Sequence, residues 1–453
     1  MIMAVGRRAL AGLAVAASAS VVLAGCGSSS SGGTGAPAAS NSATTTPDLA
    51  GKSYSVLGQW TGGEQAAFQS VIDAFDKATG AKGHYSAVSG GDEATVLGAK
   101  VNGGTPPDLA ILALPGAIAQ YGKAGKAEPV SADGQSVTAA NFSTEWAKLA
   151  TVNGTLYGVP VDAANKSTVW YNTNLFNDAG VSDPPATWDD LITDAKTLGD
   201  SGVGVPISVG GGDGWTLTDW FENVYLRTAG VDMYDKLTHH EIKWTDPSVA
   251  TALKALKQIW GDESLIGKPS KALSTPFTDS VDNVFKKNPT SAMVYEASFV
   301  ATTITSDKNP AQVGVDAKFF PFPSINGSEP VLEASGDWAV AFTKNKAAQA
   351  FQAYLGTPEA AKLLVSAPGS GFLSANKNLP SSAYPDATSG QLAEQIVEVG
   401  DNFRFDMSDQ APAEFGGTPN KGEWADLQSF LGNGDVAAAQ QKLEKDASAA
   451  KGW

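Results

Sequence analysis

Six apolar residues in a row, Leu109-Ala-Ile-Leu-Ala-Leu114, follow Pro106-Pro107-Asp108 and run into Pro115-Gly116. A strand without apolar–polar alternation has neither face in water, so it belongs inside a parallel sheet covered by helices on both sides. The same grammar recurs along the chain. Ser53-Tyr-Ser-Val-Leu57 reads as a strand, and Thr61-Gly-Gly-Glu64 then opens a helix whose apolar stripe is Phe68, Val71, Ile72 and Phe75 and which Gly80 closes. Thr187-Trp-Asp-Asp190 caps a helix carrying Leu191, Ile192, Ala195 and Leu198, ahead of a strand over Val203–Val209. Thr357-Pro358 starts another, with Pro at its first position. Alternation of this kind predicts α/β lobes with mostly parallel sheets, whose ligands sit beyond the carboxyl ends of strands. The loops after Leu57, Leu114 and Val209 are therefore the places to search.

Ahead of this region, Arg7 and Arg8 precede an apolar run from Ala9 that ends in Leu23-Ala24-Gly25-Cys26. A run of about 15 residues falls short of the ~20 that span a bilayer, and the pattern predicts a signal peptide over 1–25. Cys26 is the single cysteine, so no intrachain disulfide can form. In its resemblance to bacterial lipoproteins, Cys26 becomes the lipid-modified new N-terminus. Residues 26–48 are Gly, Ser, Thr, Ala, Asn and Pro almost throughout, a composition that cannot bury enough surface to order itself. They read as a flexible tether reaching roughly 25 Å.

The rest of the chain is too long for one ordinary domain and apolar enough for two cores. A net charge of -16 argues against nucleic acid and against docking on anionic lipid, leaving the membrane reached only through the anchor. His84, His239 and His240 are too scattered for a metal site and read as surface residues. No P-loop, dinucleotide fingerprint, zinc motif or nucleophile elbow occurs, so neither cofactor nor catalysis is expected.

Several segments resemble, in order, the extracellular solute-binding proteins of carbohydrate ABC importers, the maltose-binding-protein-like family. They are Tyr121–Val130, Leu156–Val161 with Val169-Trp-Tyr-Asn172, Pro184–Leu191, Ser291–Ser298 and Phe351–Pro358. Thr218–Gly230, His240-Glu-Ile242 and Arg404–Pro412 look closer to the α-glucoside-binding branch. The resemblance implies a two-lobed periplasmic-binding-protein-like fold of type II with a hinge of crossing segments. By analogy one lobe takes 49–161 plus 322–370 and the other 162–321 plus 371–453. It also implies a monomer that closes on a sugar and delivers it to a membrane permease served by a cytoplasmic ATPase.

A neutral sugar offers hydroxyls and flat C–H faces, so its site needs aromatic planes beside planar polar groups. The chain holds 11 Trp, and Trp60 and Trp215 fall on loops beside Gly. Trp60, Thr61, Gly62 and Glu64 follow the first strand; Trp60 fits sugar stacking or interlobe packing, and Glu64 either ligand contact or a capping box with Thr61. Leu114 and Pro115 stand where maltose-binding relatives carry polar groups, so contact there would be apolar or through backbone. Trp215 ends Gly210-Gly-Gly-Asp-Gly214 and leads to Asp219, a hydroxyl partner or a helix cap, and to Trp220, read as core. Glu296 and Phe299 end an apolar strand where the family segment carries a ligand aromatic; Asp337 and Trp338 open another strand, as contacts or interlobe structure. Arg404, held by Asp406, could point at hydroxyls or form a structural ion pair that includes Asp409.

Two other readings stay open. Asp189/Asp190 or Asp406/Asp409 could serve a carbohydrate-active hydrolase, which needs two acids, and an adhesin would take no small ligand at all. Small polar solutes other than sugars also fit.

Overall fold

The computed structural model describes residues 47–88, 93–305, 309–368 and 370–453. The expected signal peptide, Cys26 and nearly all of the tether lie outside them. Among the described residues no helix is long and apolar enough to cross a membrane.

Two sheets organise the chain. The first has five strands in the order Lys82–Ala87, Ser53–Gly58, Leu109–Leu112, Trp338–Ala341, Gly158–Pro160. The first three are parallel, and Trp338–Ala341 runs against both its neighbours. The second has four, Ala317–Pro321, Thr168–Asn172, Met293–Tyr295 and Ile207–Ser208, with Thr168–Asn172 antiparallel to both neighbours. Each sheet is thus mostly parallel, as expected, with a single reversed strand. The reversed strand has a physical reason in each case: it is the one entered from the other sheet, so it starts at the junction where its neighbours end.

A third, short sheet makes that junction, with Glu333–Ser335 paired to Arg404–Phe405 on one side and Ala164–Asn165 on the other. Ala164–Asn165 carries the chain from the first sheet to the second, and Glu333–Ser335 brings it back. The molecule is a two-lobed α/β protein hinged on these segments. One core gathers around the first sheet, takes in Phe372, Leu373, Leu392, Ile396 and Phe405, and reaches the second sheet through Trp170 and Val294; the other packs on the second sheet through Val169, Ile207, Met293 and Phe320 and includes Phe415, Leu427 and Phe430.

Local expectations hold where the chemistry is local. The helix Gly62–Thr79 buries Phe68, Val71, Ile72 and Phe75 and ends on Gly80 in the left-handed region. Thr187 accepts from the Asp190 N–H at the start of Trp188–Asp200, and Thr357 from that of Ala360. Most tryptophans are structural. Trp146, Trp170 and Trp338 lie in the first core and Trp188, Trp220, Trp244 and Trp260 in the second.

Trp338, expected as a ligand contact or interlobe group, is fully buried. Its ring lies 5.7 Å from that of Trp146 and 5.3 Å from that of Phe405, and its indole donates to the Trp146 carbonyl at 3.3 Å. Trp338→Ala should therefore lower the unfolding free energy by about 3–5 kcal/mol, read from the denaturation midpoint. A change of a few tenths would show that the ring packs less tightly than described.

Candidate ligand-binding cleft

At the junction of the two sheets the loops leave a cavity of about 460 Å³, within the range that holds small-molecule ligands. It sits where the expectation for α/β sheets puts it, beyond the carboxyl end of the strand Ser53–Gly58 and beside Leu112 to Leu114.

On the first-sheet side the wall is formed by Gln59, Trp60, Glu64, Glu93, Asp162 and Asp337. Trp60 is fixed from behind, its ring edge-on to Phe68 at 4.9 Å and to Phe372 at 4.8 Å. Its backbone N–H donates to the Tyr85 hydroxyl at 2.9 Å. Asp337 donates its backbone N–H to Asp162 Oδ1 at 2.7 Å and accepts from the Gln59 amide at 3.2 Å. Burial pushes both of these carboxyls up; the Asp162 charge raises Asp337 further, while hydrogen bonding from Asp337 holds Asp162 lower. Burial also takes Glu64 up to about 7, and burial with the Asp337 charge takes Glu93 up to about 9.

The second-sheet side is ordered by Lys166. Its ammonium lies 2.9 Å from Asp219 Oδ1 and contacts Asp406 Oδ2, all three side chains being buried. Burial opposes the Lys166 charge, but Asp219, Asp406 and Asp409 around it raise its pKa well above the usual value. Asp406 Oδ1 accepts from the Ser408 hydroxyl and the Asp409 N–H, each at 2.8 Å, which turns the short helix Met407–Gln410 so that Asp409 faces the cavity. Trp215 packs on Phe277 at 5.2 Å and Phe299 at 5.9 Å, leaving the half-buried indole in the cavity wall. Trp424 stands near it with an indole N–H that has no partner.

Of the residues singled out in the sequence, the structure brings Trp60, Glu64, Leu114, Trp215, Asp219, Phe299 and Asp337 into the lining of one cavity. The others stand apart from it. Thr61 and Gly62 are exposed at the start of their helix, and Thr61 makes no side-chain cap, so the capping box with Glu64 does not form. Pro115 is the buried first residue of its helix. Glu296 is buried and does not line the cavity, and burial with the neighbouring Asp219 charge pushes its carboxyl well above the usual range. Arg404 pairs through Nε with Asp235 Oδ1 at 2.6 Å, outside the cleft wall, and the expected Arg404–Asp406 pair is absent because Asp406 belongs to Lys166. Asp189 and Asp190 are exposed at a helix start, where capping suffices. Asp409, considered in the sequence only as part of an ion pair or an acid pair, lines the cavity, and sequence reasoning missed Gln59, Glu93, Asp162, Lys166 and Trp424. Asp162 directly follows the Leu156–Val161 segment and was within reach; the others carry no local signal.

Residues 60–362 match the sequence profile of the family described as bacterial extracellular solute-binding protein. The osmoprotective compounds-binding protein GgtB of Synechocystis sp. is 32% identical over 403 residues, 87% of this chain and 92% of that protein. The alpha-glucosides-binding periplasmic protein AglE of Rhizobium meliloti is 31% identical over 413 residues, 87% of each. Among solved structures, the bacterial solute receptor AcbH, whose preference is for b-D-galactopyranose, superposes with a TM-score of 0.75 at 21% identity, covering 88% of this chain and 99% of that one. A chitin oligosaccharide binding protein gives 0.73 at 20%, covering 88% and 98%. These structures share the fold.

Two expectations test the electrostatics. Lys166→Met leaves Asp219 and Asp406 buried without a cation and should cost about 3–5 kcal/mol at neutral pH in chemical denaturation, with the loss shrinking as acid protonates Asp219, whose carboxyl burial pushes up to about 6. A loss independent of pH would mean that the ammonium acts only through packing. In the ligand-free protein, Glu64 and Glu93 hold protons in the folded state above their ordinary value of 4.5. The stability they contribute is complete below that value and is lost as pH rises through about 7 and about 9. The melting temperature should therefore fall across that window, and less so in Glu93→Gln.

Proposed function

We propose, from the fact that this chain belongs to the bacterial extracellular solute-binding proteins, that it captures a small carbohydrate between its two lobes and delivers it to the permease of an ABC transporter. An α-glucoside or related oligosaccharide is the ligand we favour. The observation that carries the reading is the cavity itself, where aromatic planes at Trp60, Trp215 and Phe299 stand beside carboxyl groups and the free Trp424 indole N–H. Sugar hydroxyls are donors as well as acceptors, so a wall rich in carboxyl oxygens suits them, while the same wall repels an anion. The names of the two relatives, one binding alpha-glucosides, support the same choice.

The proposed lobes, 49–161 with 322–370 and 162–321 with 371–453, are supported by the two sheets falling one in each. Residues 372–405, which contribute to the first core, then form a strap behind the hinge. We place the protein on the extracytoplasmic face of the membrane, tethered through Cys26 and acting as a monomer, on the strength of the Leu23–Cys26 pattern. A receptor is favoured over a hydrolase because the acid pairs first considered are engaged: Asp190 at a helix cap, Asp406 with Lys166.

Thermal shift across mono-, di- and trisaccharides, with amino acids and polyols as controls, tests this. A cognate sugar at a hundredfold excess over its Kd should stabilise the protein by about 2.7 kcal/mol, and Trp215→Ala should reduce the shift. No response to any sugar sinks the reading. Closure has its own test at Gly116, where an added Cβ would meet the Ala411 carbonyl oxygen at 2.4 Å across the cleft. Gly116→Ala should weaken sugar binding about tenfold by holding the lobes apart, with the melting temperature of the empty protein little changed.

A further inference from the structure

The two walls of the cavity are electrically unlike. Opposite Lys166, the first-sheet wall carries Glu64, Glu93, Asp162 and Asp337, and Lys166 is the single basic side chain lining the cavity among the described residues. Lys166 is already held by Asp219 and Asp406. Nothing cationic answers the four acids. Glu93 Oε1 is buried and has no hydrogen-bond partner, although its side chain lines the cavity. The Trp60 ring and the Tyr121 side chain border the same space, supplying aromatic surface of the sort that receives an ammonium group.

A metal ion does not fit these four. Among the described residues the acids close enough to surround an ion, with ligand atoms within 4.8 Å of one another, are Glu222, Glu333 and Asp406 in the interior. The cleft acids are spread more widely, as around a molecule.

We propose that this wall is a subsite for an organic cation, so that the preferred guest is a sugar bearing a protonated amine. The proposal rests on the carbohydrate reading above and names the class of sugar. Glu64, Glu93 and the Asp162/Asp337 pair receive the ammonium, and Trp60 lies along the ring that carries it. Burial without a cation keeps Glu93 protonated and Glu64 partly protonated at neutral pH. An arriving ammonium favours their charged forms, so a proton leaves to the buffer as the amine sugar binds.

Calorimetry with matched pairs tests this: glucose against glucosamine, and trehalose against trehalosamine, in phosphate and in HEPES at the same neutral pH. The amine-bearing member should bind about tenfold tighter or more, and its observed enthalpy should differ between the two buffers by the heat of the released proton. Glu93→Gln should bring the affinity ratio of each pair toward one and reduce the buffer dependence to what Glu64 contributes. Equal affinities in the wild type, or a preference that survives Glu93→Gln, overturn the cationic subsite while a bound neutral sugar leaves the carbohydrate reading standing. Silence from every sugar, charged or neutral, overturns both.

Discussion

A single buried ammonium, that of Lys166, fixes the arrangement on which the cleft depends. Its side chain joins Asp219, on the helix Trp215–Ala229, to Asp406, at the end of the third strand of the hinge sheet. Its backbone belongs to the hinge too. The Lys166 N–H donates to the Glu333 carbonyl at 2.8 Å, and its own carbonyl accepts from Asn223 at 3.0 Å and from the Tyr295 hydroxyl at 2.9 Å. One residue therefore ties together all three crossing segments and the helix that presents Trp215. Buried ion pairs add little net stability over apolar packing of the same volume, but they penalise every arrangement that separates the charges. Lys166 selects this geometry more than it stabilises the fold.

Behind it lies a second layer of acids doing the same for a loop. Glu222 accepts from the Ser408 N–H at 3.0 Å, from the Met407 N–H, and from the Tyr234 hydroxyl at 2.8 Å. Glu333 accepts from the Asn223 amide at 2.6 Å. Burial pushes both carboxyls well above the usual range, and the Asp406 charge adds to it. Glu222 holds the turn at 406–409 from inside and Glu333 holds Asn223 beside it, while Asp409 faces outward into the cavity. The acidity of the chain is thus partly internal, used to position a loop rather than to solubilise a surface.

This layering explains what could be read from residues alone. Strands, caps and helix stripes depend on neighbours a few positions away, so Leu109–Leu112, Thr187 and Thr357 were legible, and so were loops that end in an aromatic, as at Trp60 and Trp215. Lys166 finds its partners 53 and 240 residues away, a pairing no local pattern encodes. Arg404 shows the converse, because the sequence set it beside Asp406 while the fold turned it to Asp235. Asp337 and Trp338 show a third limit. Successive residues entering a strand point to opposite sides, so Asp337 reaches the cavity and Trp338 the core, and adjacency in sequence made two candidates where geometry allows one.

The same electrostatics bear on how the lobes come together. Each wall is complete by itself: Lys166 keeps Asp219 and Asp406 on one side, while Asp162, Asp337 and Gln59 are joined to one another on the other side. Separating the lobes breaks none of these contacts but returns water to Glu64, Glu93 and Asp337, whose charged forms are disfavoured by burial. Closure on an empty cavity must therefore either protonate these acids or strip water from them, and both work against the shut state. A guest whose donors replace that water removes the penalty, and one with a positive charge removes more of it. Under the proposed function, a preference for closing on ligand would need no separate latch, since the uncompensated carboxyls disfavour an empty closed cavity.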